Sequence, residues 1–277
     1  MSFQVGLALL KAELGKVWAR PILEITVALM SVMSIASIKP LTEIYGQSKF
    51  SVAFQSAVAE SVSTTVASLL LPLVIMCAVL MSLSFARDYE QGMMQSLLSV
   101  PVSRKLLFTV KFVAVVLPLA LLSWGFTLFF VGITFYSNPW LVLQFSFYAL
   151  SVSFLSLMFC GGLGVLISLA IKRTLPSVLT ALLTNFFFWF PTTINMEFAL
   201  REGASYANYL CLTPYNGSLT FLNKLLNVGQ VSSFSPIANS LQYTLSSGSF
   251  GGLVVFYACI VVVPMFVYFC RRFEIRE

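Results

Sequence analysis

The stretch from Arg87 to Lys105, RDYEQGMMQSLLSVPVSRK, holds the residue types in this chain best suited to recognising another molecule. Two acids, Asp88 and Glu90, precede Gly92. Apolar residues follow at helical spacing (Met93, Met94, Leu97, Leu98), then a Pro stop at Pro101 and a basic pair, Arg104 and Lys105. The chemistry such a pattern supports is docking: an apolar ridge, made adaptable by its methionines, with flanking charges that fix orientation. Two readings stand on these residues, a helix seated in a partner's groove and a helix resting on lipid. A second group, Asn185, Phe186, Phe187, Phe188, Trp189 and Phe190, runs up to Pro191. It reads as an apolar gate or a surface for hydrophobic substrate, or else as an aromatic belt at a membrane interface.

Other chemistries lack their residues. There is no His, which removes the commonest general base and metal ligand. There is no Gly-rich P-loop, so no nucleotide is expected on this chain by that route. The five Cys (77, 160, 211, 259, 270) form no CxxC and suit small buried hydrophobes. The centres of the apolar runs carry no Asp, Glu, Lys or Arg, which argues against ion-coupled transport and intramembrane proteolysis. The chain is therefore expected to hold no cofactor or metal and to catalyse nothing itself.

The elements that carry these residues follow from composition. Of 277 residues, 58% are hydrophobic and 9% charged, and the mean hydropathy is +0.92. Soluble domains carry about 25% charged residues, so this is an all-α integral membrane protein. The net charge of +6 is scattered at the ends of apolar runs, so no nucleic-acid partner is expected. Apolar runs predict six spans near 22–38, 66–86, 107–136, 141–171, 176–195 and 251–270, within one transmembrane domain over 1–277. The third and fourth exceed the length a span needs, and Pro118 predicts a kink in the third.

Residues 3–19 predict an amphipathic helix ahead of the first span. Phe3, Leu7, Leu10, Leu14 and Val17 form one stripe, Glu13, Lys16 and Arg20 lie to another side, and Trp18 suits the headgroup region. With six spans and the N-terminus inside, twelve Lys and Arg fall on inner segments, among them Lys11, Lys16, Arg87, Arg104, Lys105, Lys111, Lys172 and Arg173. Four, Lys39, Lys49, Arg201 and Lys224, fall outside. That bias predicts a multi-pass protein of the cell membrane with both termini cytoplasmic. The outer side then has a moderate loop over 39–65, a tight turn over 137–140 and a long apolar segment over 196–250. The long segment is punctuated by Pro214 and Pro236 and carries the tripeptide Asn216-Gly217-Ser218, a glycosylation sequon. Gly161-Gly162-x-Gly164 predicts close helix packing.

This order of elements resembles the permease subunits of ABC-2 type transporters. The local match is Glu90-x-Gly92, then Leu97-Leu98-Ser99, then Pro101-x-Ser103-Arg104, with Leu212-Thr213-Pro214-Tyr215 similar to the family's proline motif ahead of the last span. This chain departs from the pattern in having only two carboxylates in the first segment and a long outer region. The resemblance implies an exporter permease that works as a dimer with itself or a related permease. A separate ABC ATP-binding subunit would carry ATP and Mg. It implies that Asp88, Glu90, Gly92, Met93, Met94, Leu97, Leu98, Pro101 and Arg104 form a coupling helix docked on that subunit. It also implies that spans two and five line the path at the dimer interface, with Asn185, Phe186, Phe187 and Trp189 in the outer half of span five. A membrane scaffold that anchors a cytoplasmic partner and transports nothing is the alternative of a different class.

Overall fold

A backbone that crosses hydrocarbon must satisfy its own amides and carbonyls, and a chain this apolar does so by helix. The computed structural model describes residues 2–19, 21–45, 51–94, 103–202, 212–228 and 246–272. The described residues are all-helical, in eight helices: α1 (Ser2–Val17), α2 (Ile22–Tyr45), α3 (Ser51–Glu90), α4 (Arg104–Thr134), α5 (Pro139–Ile171), α6 (Thr174–Glu202), α7 (Pro214–Leu225) and α8 (Ser247–Arg272). Among these residues, Phe54–Glu90, Arg104–Thr134, Pro139–Ile171 and Ser247–Arg271 are each long and apolar enough to cross a membrane. The pair Gln4–Val17 and Ile22–Ile35, bent by 70°, passes that test only together, and Thr174–Phe190 is a shorter apolar helix. The protein is thus a multi-pass membrane protein.

The expected 39–65 loop is corrected on both sides, because α2 runs on to Tyr45 and α3 begins at Ser51. At 1.5 Å per residue the 40-residue α3 is about 60 Å long. Its first turns bury Val58, Val62 and Val66 against Val131 of α4, Val142 of α5 and Leu222 of α7. The Ser and Thr residues that make 61–65 look like a loop are hydrogen-bonded within the bundle. Thr65 donates to the Ser61 carbonyl at 2.7 Å, and the Ser63 hydroxyl bonds the Asn223 amide oxygen. The 137–140 turn is as expected: α4 ends at Thr134 with Phe135 as its C-cap, and Asn138 caps α5, accepting from the Leu141 amide at 3.3 Å.

α3 and α5 form the centre and make the most extensive pairing. The glycines of α5 explain how closely. A Cβ on Gly164 would stand 2.9 Å from Met81 Cβ, and one on Gly161 would stand 3.0 Å from Met81 Cε. Gly162 presents the same open surface to Val261 and Val262 of α8. At this contact Cys160 Sγ donates to the Val74 carbonyl (3.4 Å) and Cys77 Sγ to the Leu157 carbonyl (3.7 Å).

Pro118 stands inside α4, which continues through it. A proline removes the hydrogen bond to the carbonyl four residues back, here Ala114. The indole Nε1 of Trp18 donates to that carbonyl at 2.9 Å. Trp18 therefore satisfies the backbone of α4. The face of α1 also differs from the expected stripe. Val17 and Glu13 are buried, Leu10 and Leu14 are half-buried and Leu7 is exposed. The polar side of α1 is drawn inward by the charges it meets there.

Candidate functional site

Contacts along the chain define one end of the bundle. Glu90 at the close of α3 accepts from the backbone amide of Thr174 at 2.9 Å and also from its hydroxyl, capping the start of α6. Phe85 of α3, Phe108 of α4 and Phe269 of α8 meet with ring centroids 5.4–6.2 Å apart. So the last turns of α3 and α8 and the first turns of α4 and α6 share this end, with α1 beside them. Phe54 of α3 meets Phe135 at the close of α4 at the opposite end, where Gly251 of α8 packs on Phe221 of α7.

The segment that predicted docking leaves from the first end. Gln91 and Gly92 close α3 with bonds to the Arg87 and Tyr89 carbonyls, and Gly92 adopts φ +69°, a left-handed stop that glycine takes without strain. Met93 is exposed, whereas Met94 is buried in the core. Leu97, Leu98 and Pro101 lie outside the described residues. The chain returns at Ser103, whose side chain caps α4 by accepting from the Leu106 amide at 3.3 Å, directly before Arg104. Both ends of the segment therefore emerge at the same end of the bundle.

Asp88 faces inward and is fully buried. One carboxylate oxygen accepts from Lys111 of α4 and the other from Lys16 of α1. Lys111, itself fully buried, also donates to Glu13 Oε1 at 2.8 Å and to the Ser84 carbonyl at 3.3 Å. Two cations and two carboxylates thus pin α1 to the end of α3 and the start of α4. Sequence reasoning put Glu13 and Lys16 on the polar side of the N-terminal helix, read Asp88 as a flanking charge of the docking segment and counted Lys111 as a loop charge, without pairing them. The available signal was a lysine inside an apolar run, a position that calls for an acidic partner.

The second expected group divides. Asn185 is buried, its Nδ2 donating to the Ala181 carbonyl at 2.9 Å and its Oδ1 accepting from the Tyr215 hydroxyl at 2.6 Å. Tyr215 comes from the Leu-Thr-Pro-Tyr stretch and is fully buried against Phe159. Tyr257 of α8 donates to the Leu212 carbonyl at 2.6 Å. Asn185 is thus a strut that holds the start of α7 inside the bundle, and Asn216 and Ser218 of the sequon are buried with it. At the other end of α7, Lys224 stands 4.6 Å over the Phe250 ring, and burial lowers its ammonium below the usual value.

Phe186 and Phe187 instead face outward. They continue a stripe of exposed residues along α6, with Leu175, Leu179 and Leu183 before them and Phe190 after. Trp189 is half-buried beside Phe186, with ring centroids 5.8 Å apart. α3, by contrast, is covered within the chain over most of its length. Among the described residues no three His, Cys, Asp or Glu side chains converge as a metal site.

The family model described as ABC-2 family transporter protein matches residues 9–201, from α1 to the end of α6. No curated protein shows a significant match to the chain.

Proposed function

Because the chain belongs to the ABC-2 transporter family, we propose that it is the translocating subunit of an ABC exporter, a six-span permease driven by a separate ATP-binding subunit. Nucleotide and Mg then belong to that partner, and this chain is no enzyme. Six spans accord with the alternation of α2, α3, α4, α5, α6 and α8 between the two ends of the bundle. The Lys and Arg bias puts the end bearing residues 91–103, and with it both termini, in the cytoplasm of a cell membrane. Two permeases, identical or related, meet through the outward apolar stripe of α6, with Phe186 and Phe187 at the path between them.

One observation carries the proposal. Within the stretch matched by the family, the segment from Gly92 to Ser103 begins and ends on the charge-pinned end of the bundle. A partner that grips this segment pulls on α3 and α4 together, because Asp88 and Lys111 tie those helices to each other and to α1. Motion imposed from outside then reaches the membrane helices as movement of one body instead of dissipating in a loop. Gly92 supplies the sharp exit and Met93 the first exposed apolar contact of the docking surface. Glu90 carries the same pull to α6 through its cap on Thr174.

The test is a double variant, Leu97→Asp with Leu98→Asp, co-expressed with the ATP-binding subunit. A charge forced into a desolvated groove costs several kcal/mol unless paired, and about 1.4 kcal/mol is tenfold in affinity. The variant is expected in the membrane at normal level, without co-purifying ATPase and without permease-dependent ATP hydrolysis. Unchanged association and hydrolysis would overturn the coupling assignment and favour a scaffold that holds its partner elsewhere.

A further inference from the structure

A groove of about 390 Å³ lies between α4, α5 and α8, walled by Phe108, Phe112 and Val116 of α4, Phe154 and Met158 of α5, and Phe266 of α8. Its volume falls in the range of small-molecule sites, about 300–1,000 Å³. Apart from the hydroxyl of Thr109, no side chain on its walls has a polar atom, so it suits an unbranched hydrocarbon. Its length is informative. The α4 wall runs from Phe108 to Leu117, about 14 Å at 1.5 Å per residue, close to half of a hydrocarbon core about 30 Å thick. The groove therefore starts at the charged end of the bundle and stops near mid-membrane, the depth of the acyl chains of one leaflet.

The mouth is cationic. The α4 residues on the wall, Phe108, Thr109, Phe112, Val113, Val116 and Leu117, follow Lys105 by three, four, seven, eight, eleven and twelve positions. Residues so spaced share one face of a helix, so Lys105, exposed in the first turn of α4, heads the same stripe. The N-terminus of α4 adds the positive end of its dipole.

We infer that this groove binds one acyl chain of an anionic phospholipid, with the headgroup phosphate held at Lys105. The occupant follows from the combination of features: a one-leaflet apolar slot asks for a membrane lipid, and the Lys105 cation at its mouth selects a negative headgroup. The site is on the opposite side of α4 from the Glu13–Lys111–Asp88 cluster and does not depend on what the protein transports.

The experiment uses the purified full-length protein in nanodiscs doped with phosphatidylglycerol bearing a diazirine on its acyl chain, compared with the same probe on phosphatidylcholine. Adducts are mapped by mass spectrometry. The expected result is adducts concentrated on peptides containing Phe112, Val113, Phe154 and Met158, with the anionic probe favoured about fivefold, the effect of one cation near an anionic headgroup. Lys105→Gln, a surface change, is expected to bring that preference close to one. Met158→Trp, which fills the groove, is expected to remove the adducts while labelling of the exposed α6 face around Leu183 persists. Three results would each overturn the inference. These are groove labelling no greater than that of α6, labelling indifferent to headgroup and to Lys105→Gln, and chain-to-chain crosslinks from a photoreactive residue at position 113, which would mean that a second copy covers the groove.

Discussion

Replacing Lys111 with Met removes a positive charge from the base of the bundle while keeping a side chain of similar length. Glu13 is the group this strands. Its Oε1 bonds Lys111 at 2.8 Å and its Oε2 has no hydrogen-bond partner among the described residues, so the buried carboxylate would lose the cation that Oε1 bonds. Asp88 keeps Lys16. Removing one member of a buried pair costs about 3–5 kcal/mol, because the penalty is that of the charge left behind. At about 2–4 °C per kcal/mol for a chain of this class, the melting temperature is expected to fall by roughly 6–20 °C. The assay is thermal melting of the detergent-solubilised protein, followed by size-exclusion fluorescence. The control is the pair Glu13→Leu with Lys111→Met, which takes out both partners. Exchanging both members of a buried ion pair for packed apolar groups is often near neutral, so the double variant should recover most of the loss, a coupling of 3 kcal/mol or so between residues in direct contact. Lys111→Met melting with the native protein, or the double variant melting no higher than the single, would refute the reasoning and reduce the cluster to a packing accident.

Two further variants test how the helices are fitted together. Trp18→Phe leaves the Ala114 carbonyl without its donor, at a cost of about 1–3 kcal/mol for an unsatisfied buried acceptor. Adding Pro118→Ala restores a backbone amide to that carbonyl, and the melting temperature should rise again; no rescue would show that the indole acts by packing alone. Gly164→Ala places a Cβ 2.9 Å from Met81 Cβ and should destabilise by about 1–3 kcal/mol through overpacking. Gly15→Ala, at an exposed helical position where the added Cβ meets nothing within 4 Å, should melt no lower than native and serves as the reference.

The helical elements were largely legible because a bilayer leaves few solutions. Apolar runs of span length, the Asn138 turn and the Gly161-Gly162-x-Gly164 patch all act within one helix or one turn, where residue type dictates geometry. The first turns of α3 were hidden because Ser and Thr at 61–65 look solvated until their hydroxyls are seen bonded to nearby carbonyls and to Asn223. The candidate site was half legible. Gly92 lies at a sharp exit and Met93 is exposed, but Asp88 and Glu90, read as outward charges, are engaged with Lys16, Lys111 and Thr174, and Met94 is in the core.

By itself the sequence determined the solvent this protein lives in, the helical character of its backbone and the segment whose motif carries the family resemblance, since each depends on composition or on spacing within a single element. Only the tertiary structure decided what the buried polar groups are for. Glu13 and Lys111 are 98 residues apart, Trp18 and Ala114 96, and Asn185 and Tyr215 30. No local rule pairs such residues. A charge, an indole or an amide in an apolar environment must find a partner, and which partner it finds depends on which helices the packing of small residues such as Gly161 and Gly164 has already brought together.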